Sequence, residues 1–333
     1  LADVAANPSF PDEIVEREQA VQIASIKNEA EQPVRVAANQ LRAALYGDHP
    51  YGKPRLGSVE QVAGFTADDL RAFHRKVATA GNCVIAVFGD IDAEAVRDHV
   101  ASQFDALPAG DGRRPEPPPA DPLAANLTVR ERLDKEQAVM MVGYLGPTIA
   151  DLDRLALEII NEASSDLGSR FFERIRDELG LAYFVGSSMT PGLARGLFGF
   201  YLGTDPAKTG VVEPALLQEI ETLAEDGLSP EEFERSKAKL VGQQKIKLQA
   251  NDSFAQLAAL NELYGLGYDF HQREIERLEN LALDDVNRVA REYFGEQRHV
   301  NVLVSPAVES AGDEPAQPAA ANHEEESTHA ASS

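Results

Sequence analysis

The feature that most constrains this chain is an internal repeat. Arg17 to Gly47 lines up without a gap on Arg235 to Gly265, with seven of 31 positions identical, and both copies end in Leu-Tyr-Gly. Each copy follows a turn-like start, Phe10-Pro11-Asp12-Glu13 in one and Leu228-Ser229-Pro230-Glu231-Glu232 in the other. Ser229, Pro230 and Glu232 supply an N-cap, a first-turn proline and a capping box, so a helix is expected to begin there. Further on, Asp68-Asp69-Leu70 pairs with Asp284-Asp285-Val286 at an offset of 216. Each opens an amphipathic helix and then a β-branched strand, Cys83–Phe88 in one copy and His299–Val304 in the other. Two agreeing offsets with the same element order point to a tandem duplication.

The second copy carries a front half that the first lacks. Gln137–Gly143 reads as a buried strand and Asp151–Ala163 as a helix with apolar residues at helical spacing. Arg170–Leu179 reads as a charged helix, and Leu181–Ser188 with Gly196–Thr204 as a hairpin bounded by Gly and Pro. Shifting this half back by the repeat offset places its counterpart upstream of residue 1, so the chain is expected to lack about 90 residues of its first domain. Composition then sets the boundaries. Residues 1–106 are the later part of a first domain, 107–124 a Pro-rich linker (LPAGDGRRPEPPPADP at its heart), and 125–305 a complete second domain. Residues 306–333, with six acids and no Lys or Arg, read as a disordered acidic tail.

Charge excludes some functions. The 31 Lys and Arg against 55 Asp and Glu give a net charge of −24, which leaves no continuous basic face for nucleic acid or an anionic membrane. No apolar run is long enough to span a bilayer. The one cysteine, Cys83, permits neither an intrachain disulfide nor a thiolate zinc site, and at a strand start it reads as a small buried hydrophobe.

The runs LADVAANPSFPDEIVEREQAVQIASIK, YGDHPYGKPRLGSVEQVAGFTADDLRAFH and NCVIAVFGD resemble the later part of the N-terminal domain of pitrilysin/insulinase-type (inverzincin) metallopeptidases. GSRFFERIRDELGLAYFVGSS with FGFYLGTDP resembles the C-terminal domain of the same family. The resemblance implies an α+β fold of tandem duplicated two-layer α/β sandwich domains, of the mitochondrial-processing-peptidase/insulinase type, with the first domain incomplete.

In that family H-x-x-E-H supplies two zinc-binding histidines and a general base, and a later helix supplies a glutamate ligand. No H-x-x-E-H occurs in residues 1–333. The run similar to the ligand helix is Glu16–Ile26, where Glu18 keeps the first acidic position and Ser25 stands at the usual ligand position. A neutral hydroxyl is a poor zinc ligand, so no metal is expected on this chain. His271-Gln272-Arg273-Glu274-Ile275 has Ile where a second His is needed, and His271 reads as a helix-surface residue. His49 and Tyr51 read as loop residues. Arg176 and Tyr183, seven apart, match the family pair that holds the scissile carbonyl and the developing oxyanion, roles suited to guanidinium and phenol donors. The bland alternative is that Arg176 pairs with Glu173 or Asp177 and Tyr183 packs on the sheet.

The resemblance therefore implies a non-catalytic subunit that closes the chamber of a heterodimeric zinc peptidase. Its partner would be a homologous H-x-x-E-H subunit carrying the zinc, its substrate an unfolded peptide, and its compartment periplasmic or extracytoplasmic by family habit. Two alternatives stand: an active zinc peptidase with H-x-x-E-H in the missing N-terminal segment, and a scaffold protein on the same fold.

Overall fold

Eight consecutive residues of one strand, Ala138–Leu145, are all buried, which requires that the strand be covered on both faces. The computed structural model describes residues 1–110, 116–165 and 167–306. The expected acidic tail from residue 307 onward and the centre of the expected linker, 111–115, lie outside them.

The first part is helical: α1 (Ala2–Ala6), α2 (Asp12–Ala30), α3 (Pro33–Tyr46), α4 (Val59–Gly64), α5 (Ala67–Val77) and α6 (Ala93–Phe104). The second mixes strands and helices: β1 (Leu127–Arg132), β2 (Ala138–Leu145), α7 (Arg154–Ser165), β3 (Phe184–Thr190), β4 (Leu197–Thr204), α8 (Thr209–Asp226), α9 (Pro230–Lys247), α10 (Asn251–Leu263), α11 (Phe270–Asn280), α12 (Leu283–Ala290) and β5 (Val300–Ser305). The α+β class is as the sequence implies. Helices α2 and α3 begin at 12 and 33 and α9 and α10 at 230 and 251, both pairs 218 apart. Ser229 closes the expected capping box with Glu232.

The strands form one sheet in the order β1-β5-β2-β4-β3, with β1 parallel to β5 and the other pairs antiparallel. Alternation along β2 sends Met140, Val142 and Tyr144 to one face and Val139, Met141 and Leu145 to the other. The first face packs against α7, α8 and α12 through Ile160, Leu216, Ile220 and Val286. The second is covered from across the linker. Ala37, Leu41 and Leu45 of α3, four residues apart on one stripe, pack on Val139, Met141, Val300, Val302 and Val304. Lys135 Nζ to Glu31 Oε2 at 2.7 Å and Gln40 Nε2 to Glu131 Oε2 at 3.0 Å fasten the same junction.

Two local expectations need correction. Cys83–Phe88 forms no ladder, because among the described residues no strand lies beside it to exchange backbone hydrogen bonds. Its Ile85, Val87 and Phe88 are exposed, and Phe88 instead meets Phe254 of α10 with ring centroids 4.6 Å apart. Cys83 is exposed rather than buried, for the same reason. The described ends of the linker are pinned: Pro108 and Ala109 accept hydrogen bonds from Ala80 and Gly81, and Ala120 is buried beside α3.

The outer edge of β3 is closed at its middle. Ser165 Oγ donates to the Ser187 carbonyl at 2.9 Å and accepts from the Ser187 amide at 3.3 Å. A side chain thus occupies the groups through which another strand would add.

Candidate functional site

Arg176 sits on a short helical segment, Phe172–Glu178, with π-type hydrogen bonding. Phe171 and Ile175, four apart, are fully buried and anchor the segment, Phe171 stacking on Phe200 of β4 at 4.9 Å. The next residue, Arg176, consequently faces outward and is exposed. The segment's start is held by Arg170, which grips Glu232 through Nε (2.9 Å) and Nη2 (2.6 Å) and also donates to the Gly227 carbonyl at 2.8 Å. Burial works against the charged form of Glu232, but the Arg170 and Ser229 hydrogen bonds outweigh it and hold the carboxyl below its usual range.

The segment's end turns on Gly180, whose φ of +61° is costly for any side chain. Gly180 and Leu181 amides bond back to the Arg176 and Ile175 carbonyls at 3.1 and 3.0 Å. The Thr204 hydroxyl at 2.5 Å holds the Leu181 carbonyl, and Lys208 Nζ at 2.9 Å holds that of Gly180. The Tyr183 amide then donates to the Gly203 carbonyl at 2.8 Å, so its backbone is locked to β4 while its side chain is 52% exposed. The polar ends are free. Among the described residues Arg176 makes no ion pair, contrary to the bland expectation of Glu173 or Asp177, and its Cζ lies 4.6 Å from the Phe172 ring centroid. The Tyr183 hydroxyl likewise has no hydrogen-bond partner among them. Rigid backbones thus present two unspent donors.

The metal-type residues fare differently. Ser25 is an exposed residue of α2 whose hydroxyl donates to the Val21 carbonyl at 3.0 Å, inside its own helix. Among the described residues no three His, Cys, Asp or Glu side chains converge in a way that would hold a metal ion. The residues present do not fit zinc. His271 is not on the helix surface as expected but buried, its Nδ1 3.3 Å from Asn261 Nδ2 and its ring edge-on to Phe254. The packing of α10 over α11 accounts for the difference.

His49 and Tyr51 do more than shape a loop. His49 Nδ1 accepts from the Tyr51 amide at 3.1 Å, and Nε2 lies 2.9 Å from the Pro118 carbonyl, so the ring staples the linker to the first part. The phenol of Tyr51 accepts from the Leu193 amide at 3.0 Å. Between this loop and the β3–β4 turn lies a cavity bordered by Arg42, Lys53 and Arg55, residues that sequence reading had not singled out. The available signal was Lys53-Pro54-Arg55, a local basic run in a strongly acidic chain.

Comparison with known proteins agrees with this architecture. A family profile described as "Peptidase M16 inactive domain" matches residues 64–240. An uncharacterized zinc protease of Streptomyces coelicolor is 28% identical over 312 residues, covering 91% of this chain and 67% of that protein. The crystal structure of a peptidase M16 inactive domain from Pseudomonas fluorescens superposes with a TM-score of 0.85 at 24% identity, over 92% of this chain and 74% of that one. A chain of complex III2 from Candida albicans shares the fold with a TM-score of 0.75 at 18% identity, over 92% and 75%.

Proposed function

The chain belongs to the peptidase M16 (inverzincin) family and carries its inactive-type domain over residues 64–240, and on that premise we propose that it is the non-catalytic subunit of a two-chain zinc peptidase. The observation that carries the reading is a contrast. Arg176 and Tyr183 stand exposed and unpaired on a pinned turn, whereas the metal-type residues, Ser25 foremost, do not fit zinc. In this reading a homologous H-x-x-E-H subunit brings the metal. Arg176 and Tyr183 donate to the scissile carbonyl oxygen and strengthen their hold as charge gathers on it. An exposed guanidinium and phenol are free to do so without first breaking bonds within the protein.

The test is reconstitution with the H-x-x-E-H homologue encoded nearest to this chain. Zinc and peptide hydrolysis absent from this chain alone, activity on mixing, and its loss in Arg176→Ala with assembly intact would support the proposal. Zinc at about one per chain with activity in its native form alone would replace it with an active peptidase, a reading that the zinc-protease names of its relatives favour. Assembly without hydrolysis, and with no effect of Arg176→Ala, would point to a scaffold.

A further inference from the structure

A cavity of about 480 Å³ lies where the loop after α3 meets the turn between β3 and β4, a size within the range of small-ligand sites. Three cations border it, Arg42, Lys53 and Arg55, and among the described residues no acid does. In a chain of net charge −24 this is an inversion of the general field. Among the described residues none of the three forms an ion pair with a carboxylate. Among the described residues the Arg42 side chain bonds to that of Asn39 alone, and burial together with the charge of Arg55 pushes its guanidinium pKa down. Glu29 lies close enough to oppose that shift without pairing. Like charges are therefore gathered without a carboxylate in contact, their repulsion at Arg42 only partly offset by Glu29.

The walls are fixed. The Tyr46 phenol donates to the Arg195 carbonyl at 3.2 Å, and the Leu193 amide donates to Tyr51 at 3.0 Å, so both tyrosines tie the β3–β4 turn to the first part. Gly192 makes the fit possible: a Cβ there would lie 2.8 Å from Tyr51 Cε2 and 2.6 Å from the Ala194 carbonyl oxygen. Thr190, at the cavity, closes the far end of β3 from Tyr183, seven residues and about 23 Å away along an extended chain.

We propose that this cavity is a binding site for an acidic stretch of a peptide, its carboxylates held by Arg42, Lys53 and Arg55 and its backbone lying against Tyr46 and Tyr51. The choice of a peptide rests on the peptide-handling function proposed above. A bound peptide would reach Tyr183 as well only if it were some seven residues longer than its acidic anchor, and it would not run as an added strand because Ser165 closes the edge of β3.

The test is fluorescence anisotropy on the full chain without any partner, using a fluorescein-labelled peptide with four consecutive glutamates and its glutamine counterpart. The glutamate peptide is expected to bind at least about tenfold more tightly, to weaken as KCl is raised, and to lose about tenfold in affinity in Lys53→Glu/Arg55→Glu. Lys53→Gln/Arg55→Gln should fall between, with the same circular dichroism and melting temperature as the parent. Equal binding of the two peptides, or no loss in either double variant, overturns the proposal. Binding of inorganic phosphate at the same residues without binding of the glutamate peptide also overturns it, in favour of a phosphate site. Because no hydrolysis is read and Arg176→Ala should leave this affinity unchanged, failure here is separable from failure of the oxyanion role.

Discussion

Leu41 of α3 occupies the space that a side chain at position 143 would need. A Cβ built on Gly143 of β2 would lie 2.6 Å from Leu41 Cδ1 and 2.8 Å from Cδ2. The glycine is a notch in the centre of the sheet, and a helix from the first part of the chain is seated in it.

Gly143→Ala is therefore expected to destabilise the protein by about 1–3 kcal/mol through overpacking. Leu41→Ala empties the notch and should cost about 2–5 kcal/mol. Because the two share one space, the double variant should cost less than the sum. Urea unfolding of the four proteins checks this, and additivity would contradict the fit.

The Arg170–Glu232 pair makes a second prediction. Both side chains are largely buried, so Glu232→Gln leaves Arg170 charged and poorly partnered, at a cost of about 3 kcal/mol. The folded carboxyl titrates below its unfolded value. Its contribution is thus complete above the unfolded carboxylate pKa and fades as pH falls through the lower folded one. The stability gap between parent and variant, measured by urea midpoint, should be flat near neutrality and shrink in the acid range.

His271 should act over a different window. Burial depresses its folded pKa, so the unfolded chain takes up the proton first as pH falls. Stability should decline below about pH 6.5, the ordinary histidine value, with part of that slope removed in His271→Gln. An unchanged slope in the variant would locate the acid sensitivity elsewhere.

On the oxyanion role proposed for them, Arg176→Ala and Tyr183→Phe should each lower kcat of the reconstituted pair by about 10²–10³, the usual cost of one oxyanion donor. Neither residue anchors the fold, so stability should change by no more than in ordinary surface substitutions, about 0.5 kcal/mol. A parallel loss of assembly would recast both as interface residues.

Much of this was legible in the residues. The start of α9 was readable because Ser229, Pro230 and Glu232 form a capping box on their own, whereas α2 begins after Pro11 without a side-chain cap. The strands around Met140 and Phe200 announce themselves as apolar runs. What escaped was relational. Cys83–Phe88 has the propensity of a strand, but a ladder belongs to two segments and one of them is not beside it. His271 carries no mark of burial in its own helix; Phe254 and Asn261, on another helix, supply it. The cation cluster draws Arg42 from α3 and Lys53 and Arg55 from the loop beyond it, against a turn some 140 residues away in sequence.

The seating of α3 means that the covalent joint and the packing joint of this protein fall in different places. A cut between residues 107 and 124 would sever the chain but not the hydrophobic contact, since residues 33–46 roof the sheet formed by residues 127–305. The two fragments should remain together after proteolysis, and two separately translated halves should find each other through that helix. Gene fission at the proline run would be tolerated, whereas a fission point that left α3 out altogether would strand a bare valine-lined face in water.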